Sequence, residues 1–511
     1  MRVFDFVLLS GYELSGVDVA QGFRAELFEK NNIDARFIFT DVPTLRDIRL
    51  YEGKKIKRSY MMSAHLFLTG HGDMKNSVRK ENLLEHIKTQ CDYDTMNESN
   101  NVIEIHKAQK KVIEIQCDGE GNVICEKYYK NDNIYLINYY TDSLAYTELY
   151  AWSRNDNGIA SNIERRIFWD GKGRNVFEQM FIGDKIKYVL NNGKTMDTDE
   201  FADYFVKSLK LGEEDICIMD RAGYFNFQRS LFRYKNGAKL IGVLHSDHYF
   251  EMHEDEGSLY MNYEYYYWFK YSHKIDCMVV GTKEHKQKLK EKLTEYGCYV
   301  PQIAVIPPGA LKETRQMQNY NRNKWSIISA SRLNSRKGVD ILIKGMIKAH
   351  KINPYIYLDI YGSGSDRYVS YLNNIVTEAE AESYIHFKGH CNMEGVYRNY
   401  EAFASFSLWE TFGLSLMEAV GDGLAMLGLD VRYGNRLFIH QNENGYIVDF
   451  DLNKDMDNKE KLTDRIAEAI IKIFEDQERL EKFHEASFEI AKEYEESIVE
   501  SKWLKLIAGQ Q

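Results

Sequence analysis

Two stretches of this chain alternate short apolar runs with helical spacing, and this alternation constrains the fold more than any other feature. The first stretch has an apolar run at residues 3–9, helical spacing at 17–28 and a second apolar run at 35–40. A β-α-β succession predicts a parallel sheet with helices on its faces. At 511 residues the chain is too long for one core, so we expect an α/β protein of about three domains.

The alternation resumes in the second half of the chain. Strands are predicted at 216–220, 239–244, 277–281 and 304–306, then at 325–330, 355–360, 385–388, 402–408, 425–429 and 446–448, with a helix at about 339–350. Pro307-Pro308-Gly309 is a stiff break between two α/β units. The charged, glycine-poor segment 462–508 is predicted to be helical.

A turn-rich segment interrupts the first α/β unit. Between 102 and 190, β-rich runs are separated by turn residues such as Asp118-Gly119, Asp170-Gly171 and Asn191-Asn192-Gly193. Regular turns between β-rich runs are typical of an antiparallel meander. We therefore interpret 46–204 as an insertion.

Composition excludes several classes of protein. A formal charge of -11 argues against general nucleic-acid binding, which needs a basic face. The seven cysteines are scattered and form no C-x-x-C pair, so neither a disulfide framework nor a zinc site is indicated. No stretch approaches the ~18 apolar residues of a membrane span, and no signal peptide is recognised. We expect a cytoplasmic protein in a reducing compartment.

Glu410 and Glu418 stand eight residues apart, directly after the apolar run at 402–408. The first carboxylate is predicted at the carboxyl end of a strand and the second about one turn into a helix. Ligands bind at that edge of an open α/β sheet, and carboxylates accept strong hydrogen bonds from sugar hydroxyls. The alternative is an acidic first turn that complements its own helix dipole.

Arg332 and Lys337 follow another predicted strand and precede the helix at 339–350. Two cations beside a helix N-terminus are suited to a diphosphate, because the dipole and the side chains both favour negative charge. A solvated basic loop is the alternative. In the first half, Gly16 lies between a strand and a helix, where a small residue lets backbone amides approach phosphate.

Other candidates have simpler explanations. His245 and His248 form a poor metal pair without a third ligand of defined geometry, so no metal site is predicted. Of the Asp-x-Asp strings at 92–94 and 197–199, the second is interpreted as a helix cap. Aromatic residues at 263–271 could line an acceptor groove, but core packing of a helix is favoured.

The motifs Ser331-Arg332-Leu333 through Lys337-Gly338, Gly362-Ser363-Gly364, Glu410 through Glu418, and Asn444-Gly445-Tyr446 occur in the order seen in family-four retaining glycosyltransferases. This resemblance implies the GT-B fold, an α/β architecture of two Rossmann-like domains facing a cleft. Further segments, including Ala20 to Ala25 and Asp430 to Asn435, resemble the GtfA-type glycosyltransferases of serine-rich repeat adhesins, which also carry an inserted antiparallel β-meander domain.

The resemblance implies five segments and a role for each candidate. Residues 1–45 and 205–308 would form the first Rossmann-like domain, 46–204 an add-on domain for acceptor or partner, 309–490 the donor-binding domain, and 491–511 a helix crossing back. Arg332 and Lys337 would hold the donor diphosphate, Glu410 and His245 (with His248 in reserve) the transferred sugar, and Glu418 the ribose. The nucleotide sugar would also meet the backbone at Gly16, Val17, Asp18, Val19, His390, Cys391, Thr411, Phe412, Gly413 and Leu414.

The implied activity is transfer of N-acetylglucosamine (GlcNAc), or glucose, from its UDP donor to Ser or Thr of a serine-rich repeat polypeptide, with retention at the anomeric carbon and without a metal or other cofactor. The implied partner is a GtfB-type subunit or a second copy of the chain. Peripheral association with the inner face of the cell membrane belongs to the same expectation. Two alternatives stay open. One is glycosylation of a cell-wall polymer such as teichoic acid, and the other is a non-catalytic partner subunit with the same fold.

Overall fold

The computed structural model describes residues 1–9, 15–72, 74–155, 158–223, 225–249, 261–312 and 321–509. The chain divides into two compact units. Residues 1–242 and 270–276 form the first, and residues 243–269 and 277–511 form the second.

The first unit begins with the predicted β-α-β succession. Its opening elements are β1 (Arg2–Leu8), α1 (Gly16–Lys30), β2 (Asp34–Phe39), α2 (Leu45–Glu52), β3 (Met61–Ser63), α3 (Ala64–Phe67) and α4 (Lys80–Gln90). β1 and β2 run parallel, with Val3 opposite Ala35. β1 is buried over most of its length, as expected for a strand covered by helices on both faces.

The turn-rich segment forms one antiparallel sheet. Its strands are β4 (Thr95–Ser99), β5 (Val102–Lys107), β6 (Lys110–Cys117), β7 (Val123–Lys130), β8 (Asn133–Tyr140), β9 (Leu144–Asn155), β10 (Gly158–Trp169), β11 (Asn175–Ile182), β12 (Lys185–Leu190) and β13 (Thr195–Met196). Each strand pairs with its sequence neighbour, so the predicted meander is confirmed. Alternating isoleucines, among them Ile103, Ile105 and Ile113, pack on Ile87 of α4.

The parallel strands return after the meander. The elements are α5 (Thr198–Ser208), β14 (Ile216–Met219), α6 (Phe225–Tyr234) and β15 (Lys239–Val243), and the strand order in the first unit is β15-β14-β1-β2-β3. Asp197 caps α5 by accepting a hydrogen bond from the Glu200 amide, so the predicted helix cap is confirmed.

The second unit contains the other α/β stretch. Its elements are α7 (Tyr266–Lys270, whose last residue belongs to the first unit), β16 (Cys277–Val280), α8 (Lys283–Glu295), β17 (Gln302–Val305), β18 (Ser326–Ala330), α9 (Val339–Ile352), β19 (Tyr357–Tyr361), α10 (Asp366–Glu378), β20 (Ile385–Gly389), β21 (Ala402–Ser405), α11 (Leu414–Gly421), β22 (Ala425–Leu429), α12 (Gly434–Phe438), β23 (Gly445–Val448), α13 (Leu452–Asp457), α14 (Lys459–Phe474), α15 (Gln477–Ala491) and α16 (Glu496–Ile507). Trp268 and Phe269 of α7 are buried, as core packing predicts.

Six parallel strands of this unit form one sheet, in the order β20-β19-β18-β21-β22-β23, while β16 pairs with β17 in parallel. Ile327 and Ile328 are neighbours on β18, both fully buried, and belong to hydrophobic clusters on opposite faces. The predicted parallel sheet covered on both faces is therefore present. None of the helices in the described ranges combines the length and apolar character that crossing a bilayer requires.

Charged side chains lie at the centre of the first unit. The Arg24 guanidinium on α1 donates to Asp5 on β1 at 2.8 Å and also pairs with Asp220, which follows β14. All three side chains are buried. Burial and the Asp220 charge raise the pKa of Asp5, whereas Arg24 opposes that shift. The pairing therefore ties one helix to two neighbouring strands.

Replacing Arg24 with Met is expected to lower the free energy of unfolding by about 3–5 kcal/mol, because two buried carboxylates lose their counter-charge. Equilibrium denaturation measures the effect. The matched change Lys55→Met breaks an exposed pair with Glu26 and is expected to change stability little. Equal losses in the two variants would contradict the central position of Arg24.

Candidate functional site

Lys337 lies in a tight turn at the carboxyl end of β18, as predicted. Residues Ser335–Lys337 form one 3-10 turn, and the Asn334 side chain caps it by accepting from the Arg336 amide at 3.0 Å. Gly338 then takes φ 60°, and a Cβ at this position would overlap the Phe406 carbonyl oxygen. Only glycine allows this approach, so the Lys337 turn packs directly on the chain that follows β21.

Glu410 meets Lys337 at this edge of the sheet. The Lys337 Nζ lies 2.6 Å from Glu410 Oε2, and the two side chains are 22% and 15% exposed. An ammonium has three N–H donors and a carboxylate has two oxygens, so this single contact leaves hydrogen-bonding capacity for a ligand. Arg332 lies in the same loop with its side chain exposed. The structure thus brings a cation and an anion together where the sequence predicted both.

Glu418 has a different environment from Glu410. It lies one turn into α11, is exposed, and accepts a hydrogen bond from the Tyr397 hydroxyl at 3.1 Å. Burial, and then the Glu418 charge, raise the pKa of Tyr397 well above its usual value, so the phenol remains a donor. The two glutamates therefore occupy separate positions.

The chain between the two glutamates turns from strand to helix. Gly413 is the N-cap of α11 with φ 84°, Phe412 is buried against Phe438, and Thr411 and Leu414 are half-buried. His390 and Cys391 follow β20 and are exposed.

The first turn of α1 carries the candidates of the first unit. The Asp18 carboxylate accepts from Ser15 N at 2.6 Å, from Tyr51 Oη at 3.0 Å and from Arg221 Nη2 at 2.8 Å, and its side chain is buried. The amides of Asp18 and Val19 donate to the Ser15 carbonyl. Asp18 therefore holds the turn in shape, while Gly16 and Val17 begin the helix.

His245 and His248 follow β15 and differ in burial. His245 is half-buried, whereas His248 is fully buried with its Nδ1 3.3 Å from His285 Nε2. Burial, and then the Arg432 charge, lower the pKa of His285 to about 3, and the pKa of His248 also lies well below its usual value, mainly because of burial. Both buried imidazoles are therefore neutral at physiological pH.

Asp247, His248 and His285 could each offer one ligand atom to a metal ion. These atoms lie within 4.8 Å of one another. The Asp247 carboxylate, however, already accepts from Arg432 at 2.6 Å and from the Tyr433 hydroxyl at 3.1 Å. A guanidinium in contact with that carboxylate supplies its counter-charge and disfavours a second cation.

Arg432 and Tyr433 were not predicted as parts of the site. They contact Asp247 and lie beside Glu410, since the Gly434 amide donates to the Glu410 carbonyl at 2.8 Å. The one signal in the sequence was the segment from Asp430 to Asn435, which was used only as part of the family resemblance.

Comparison with known proteins identifies the family of the chain. The model of the family described as glycosyl transferases group 1 matches residues 312–489. The GtfA subunit of the UDP-N-acetylglucosamine--peptide N-acetylglucosaminyltransferase of Limosilactobacillus reuteri subsp. suis is 30% identical over 523 residues, and the alignment covers 100% of both chains. The chain belongs to the GtfA family.

Two solved structures are also similar to the chain. The crystal structure of the pneumococcal O-GlcNAc transferase GtfA in complex with UDP and GlcNAc has a TM-score of 0.85 and 29% identity, and covers 100% of this chain and 99% of its own. A crystal structure of a GtfA/B complex has a TM-score of 0.86 and 27% identity with the same coverage. The predicted GT-B fold of this GtfA-family chain is confirmed.

Replacing Gly434 with Ala is expected to disturb the Glu410 turn. The new Cβ would lie 2.5 Å from the Phe412 carbonyl oxygen and 2.8 Å from Glu410 Cγ, so the backbone must move. We expect a loss of about 1–3 kcal/mol of stability, measured by denaturation. Gly212→Ala is the matched control, because its Cβ would enter open space. A Gly434→Ala variant as stable as that control would contradict the close packing.

Proposed function

We propose that this chain transfers N-acetylglucosamine from UDP-N-acetylglucosamine to Ser or Thr hydroxyls of a serine-rich polypeptide, with retention at the anomeric carbon. The observation that carries the proposal is the ion pair between Lys337 and Glu410 at the carboxyl edge of the six-stranded sheet, in a chain that matches GtfA subunits over its whole length. A diphosphate needs a cation and a sugar needs hydrogen-bond acceptors, and the pair offers both.

Donor binding would replace the ion pair with two ligand contacts. The Lys337 ammonium would turn to the diphosphate, with Arg332 from the same loop, while the Glu410 carboxylate would accept from sugar hydroxyls. Glu418, exposed one turn into α11, is suited to the ribose hydroxyls. His245, the amides of Gly16 and Val17 and the loop at His390 and Cys391 remain predicted donor contacts.

The proposed reaction occurs on one face of the sugar. The bond between the anomeric carbon and the UDP oxygen breaks, the acceptor hydroxyl oxygen forms the new bond from the same side, and its proton passes to the leaving phosphate. Negative charge grows on the diphosphate as that bond breaks. Once the donor is bound, the cations of Lys337 and Arg332 would stabilise this charge, which is the main catalytic contribution expected here.

The partner and the acceptor are part of the proposal. Similarity to the GtfA/B complex supports assembly with a GtfB-type subunit, and the antiparallel sheet at Thr95–Met196 is the proposed surface for that subunit or for the acceptor. This mechanism needs no metal or other cofactor, because Lys337 and Arg332 supply the positive charge that a metal ion would otherwise supply to the leaving diphosphate.

Replacing Lys337 or Arg332 with Ala is expected to lower kcat roughly 10²-fold or more, because each removes a cation from the leaving group. Steady-state UDP release measures this. Arg336→Ala is the matched control, since Arg336 is an exposed cation of the same turn. Turnover near normal in both site variants, or an equal loss in the control, would count against these roles.

The acceptor class is tested with UDP-N-acetylglucosamine or UDP-glucose and two acceptors, a serine-rich peptide and a poly(ribitol phosphate) polymer, with and without a GtfB-type subunit. We expect the mass of the peptide to increase by one N-acetylhexosamine per modified residue. Transfer to the polymer alone would replace the proposed acceptor. Failure of UDP and both UDP-sugars to bind would favour the non-catalytic alternative.

A further inference from the structure

Tyr433 has a backbone conformation that its surroundings must enforce. Its φ of 72° and ψ of -100° are rarely adopted by a residue with a side chain, yet the residue is only 2% exposed. Such conformations are costly and persist where neighbouring contacts fix them. Here the Tyr433 amide donates to Glu284 Oε2 at 2.8 Å, and its ring stacks on His285 with centroids 4.7 Å apart.

The strained residue is next to the proposed sugar-binding glutamate. Tyr433 and Glu410 form an isolated parallel bridge, in which the Gly434 amide donates to the Glu410 carbonyl at 2.8 Å. The Glu410 carboxylate in turn pairs with Lys337. A change at Tyr433 would therefore move the main chain that carries the carboxylate.

The Asp247 carboxylate binds two consecutive residues of the loop after β22. Its Oδ2 accepts from Arg432 Nη2 at 2.6 Å, and its Oδ1 accepts from the Tyr433 hydroxyl at 3.1 Å. The Arg432 guanidinium also donates to the Tyr249 hydroxyl at 2.6 Å and lies over the Tyr249 ring at 4.4 Å. The Arg432 and Asp247 side chains are 14% and 15% exposed, so water screens this pair little.

Asp247 is two residues from His245, the predicted histidine contact of the sugar. One carboxylate therefore joins the loop of His245 to the loop that supports Glu410. All these residues belong to the second unit of the structure.

We propose that Asp247, Arg432 and Tyr433 are positioning residues that fix Glu410 and His245 around the donor sugar. The inference rests on the proposed function, because it assigns these residues to the same site. They act through Glu410 and His245 and need not touch the substrate. Substitutions at these residues should therefore weaken the binding of the donor sugar and leave the binding of the nucleotide unchanged.

The test compares the dissociation constants of UDP and of UDP-N-acetylglucosamine by calorimetry, together with kcat, in Asp247→Asn and Tyr433→Phe. Asn keeps the size of the side chain but loses its charge, and Phe keeps the stacked ring but loses the hydroxyl. We expect kcat to fall about tenfold or more, as misplacement of reacting groups predicts. UDP affinity should stay within about threefold while the gain in affinity from the sugar is lost.

A matched control distinguishes positioning from a general loss of stability. Asp455 is also a buried carboxylate of this unit paired with an arginine, Arg465, at 2.7 Å. Asp455→Asn should lower the melting temperature without changing kcat or the contribution of the sugar. If Asp247→Asn behaves as this control does, the network is structural and the inference is wrong.

The double variant Asp247→Asn with Arg432→Gln supplies an independent measurement. If the two residues act as one unit, the double variant should lose no more kcat than the worse single variant. Additive losses would contradict the inference. If the unmodified chain binds neither nucleotide, the proposed function fails and this inference fails with it. If the unmodified chain binds UDP but the variants keep the full gain in affinity from the sugar, the inference is wrong and the proposed function still stands.

Discussion

The ion pair between Lys337 and Glu410 is the interaction on which the candidate site depends. Each side chain lies beyond the carboxyl end of a different strand, β18 or β21, and both are only partly exposed. Without a ligand each charge neutralises the other, which makes a half-buried cation and carboxylate compatible with a folded chain. The diphosphate of a nucleotide sugar can pair with Lys337, and its sugar hydroxyls can donate to Glu410. One ligand can therefore replace both halves of the ion pair.

The surroundings of the pair are fixed by close approaches of the backbone and by polar contacts. Gly338 allows the Lys337 turn to touch the chain after β21, and Gly434 allows the loop after β22 to touch the Glu410 turn. Asp247 and Arg432 add charge-assisted contacts that bring in the loop of His245. Rigid placement of this kind is what electrostatic catalysis requires, because the groups must not reorganise as charge moves.

Local signals in the sequence predicted much of this arrangement. β22 was predicted with its observed ends, 425–429, from a largely apolar run that stops at Asp430. The edge positions of Glu410 and Lys337 followed from their places between a predicted strand and a predicted helix. Other strands differ by a few residues at their ends: β21 ends at Ser405, earlier than the apolar run to 408, since hydrophobicity does not mark where strand pairing stops.

Contacts between distant segments could not be predicted in this way. Arg432 and Asp247 are 185 residues apart, and the local sequence around either residue does not predict their contact. The pairing of His248 with His285 and the backbone strain at Tyr433 are likewise products of packing.

The most direct test of the whole account is a crystal structure of the chain with UDP-N-acetylglucosamine. We predict that the Lys337 ammonium lies within hydrogen-bonding distance of the diphosphate, and the Glu410 carboxylate within that distance of the sugar hydroxyls. A donor bound elsewhere, with the Lys337–Glu410 pair unbroken, would contradict the account.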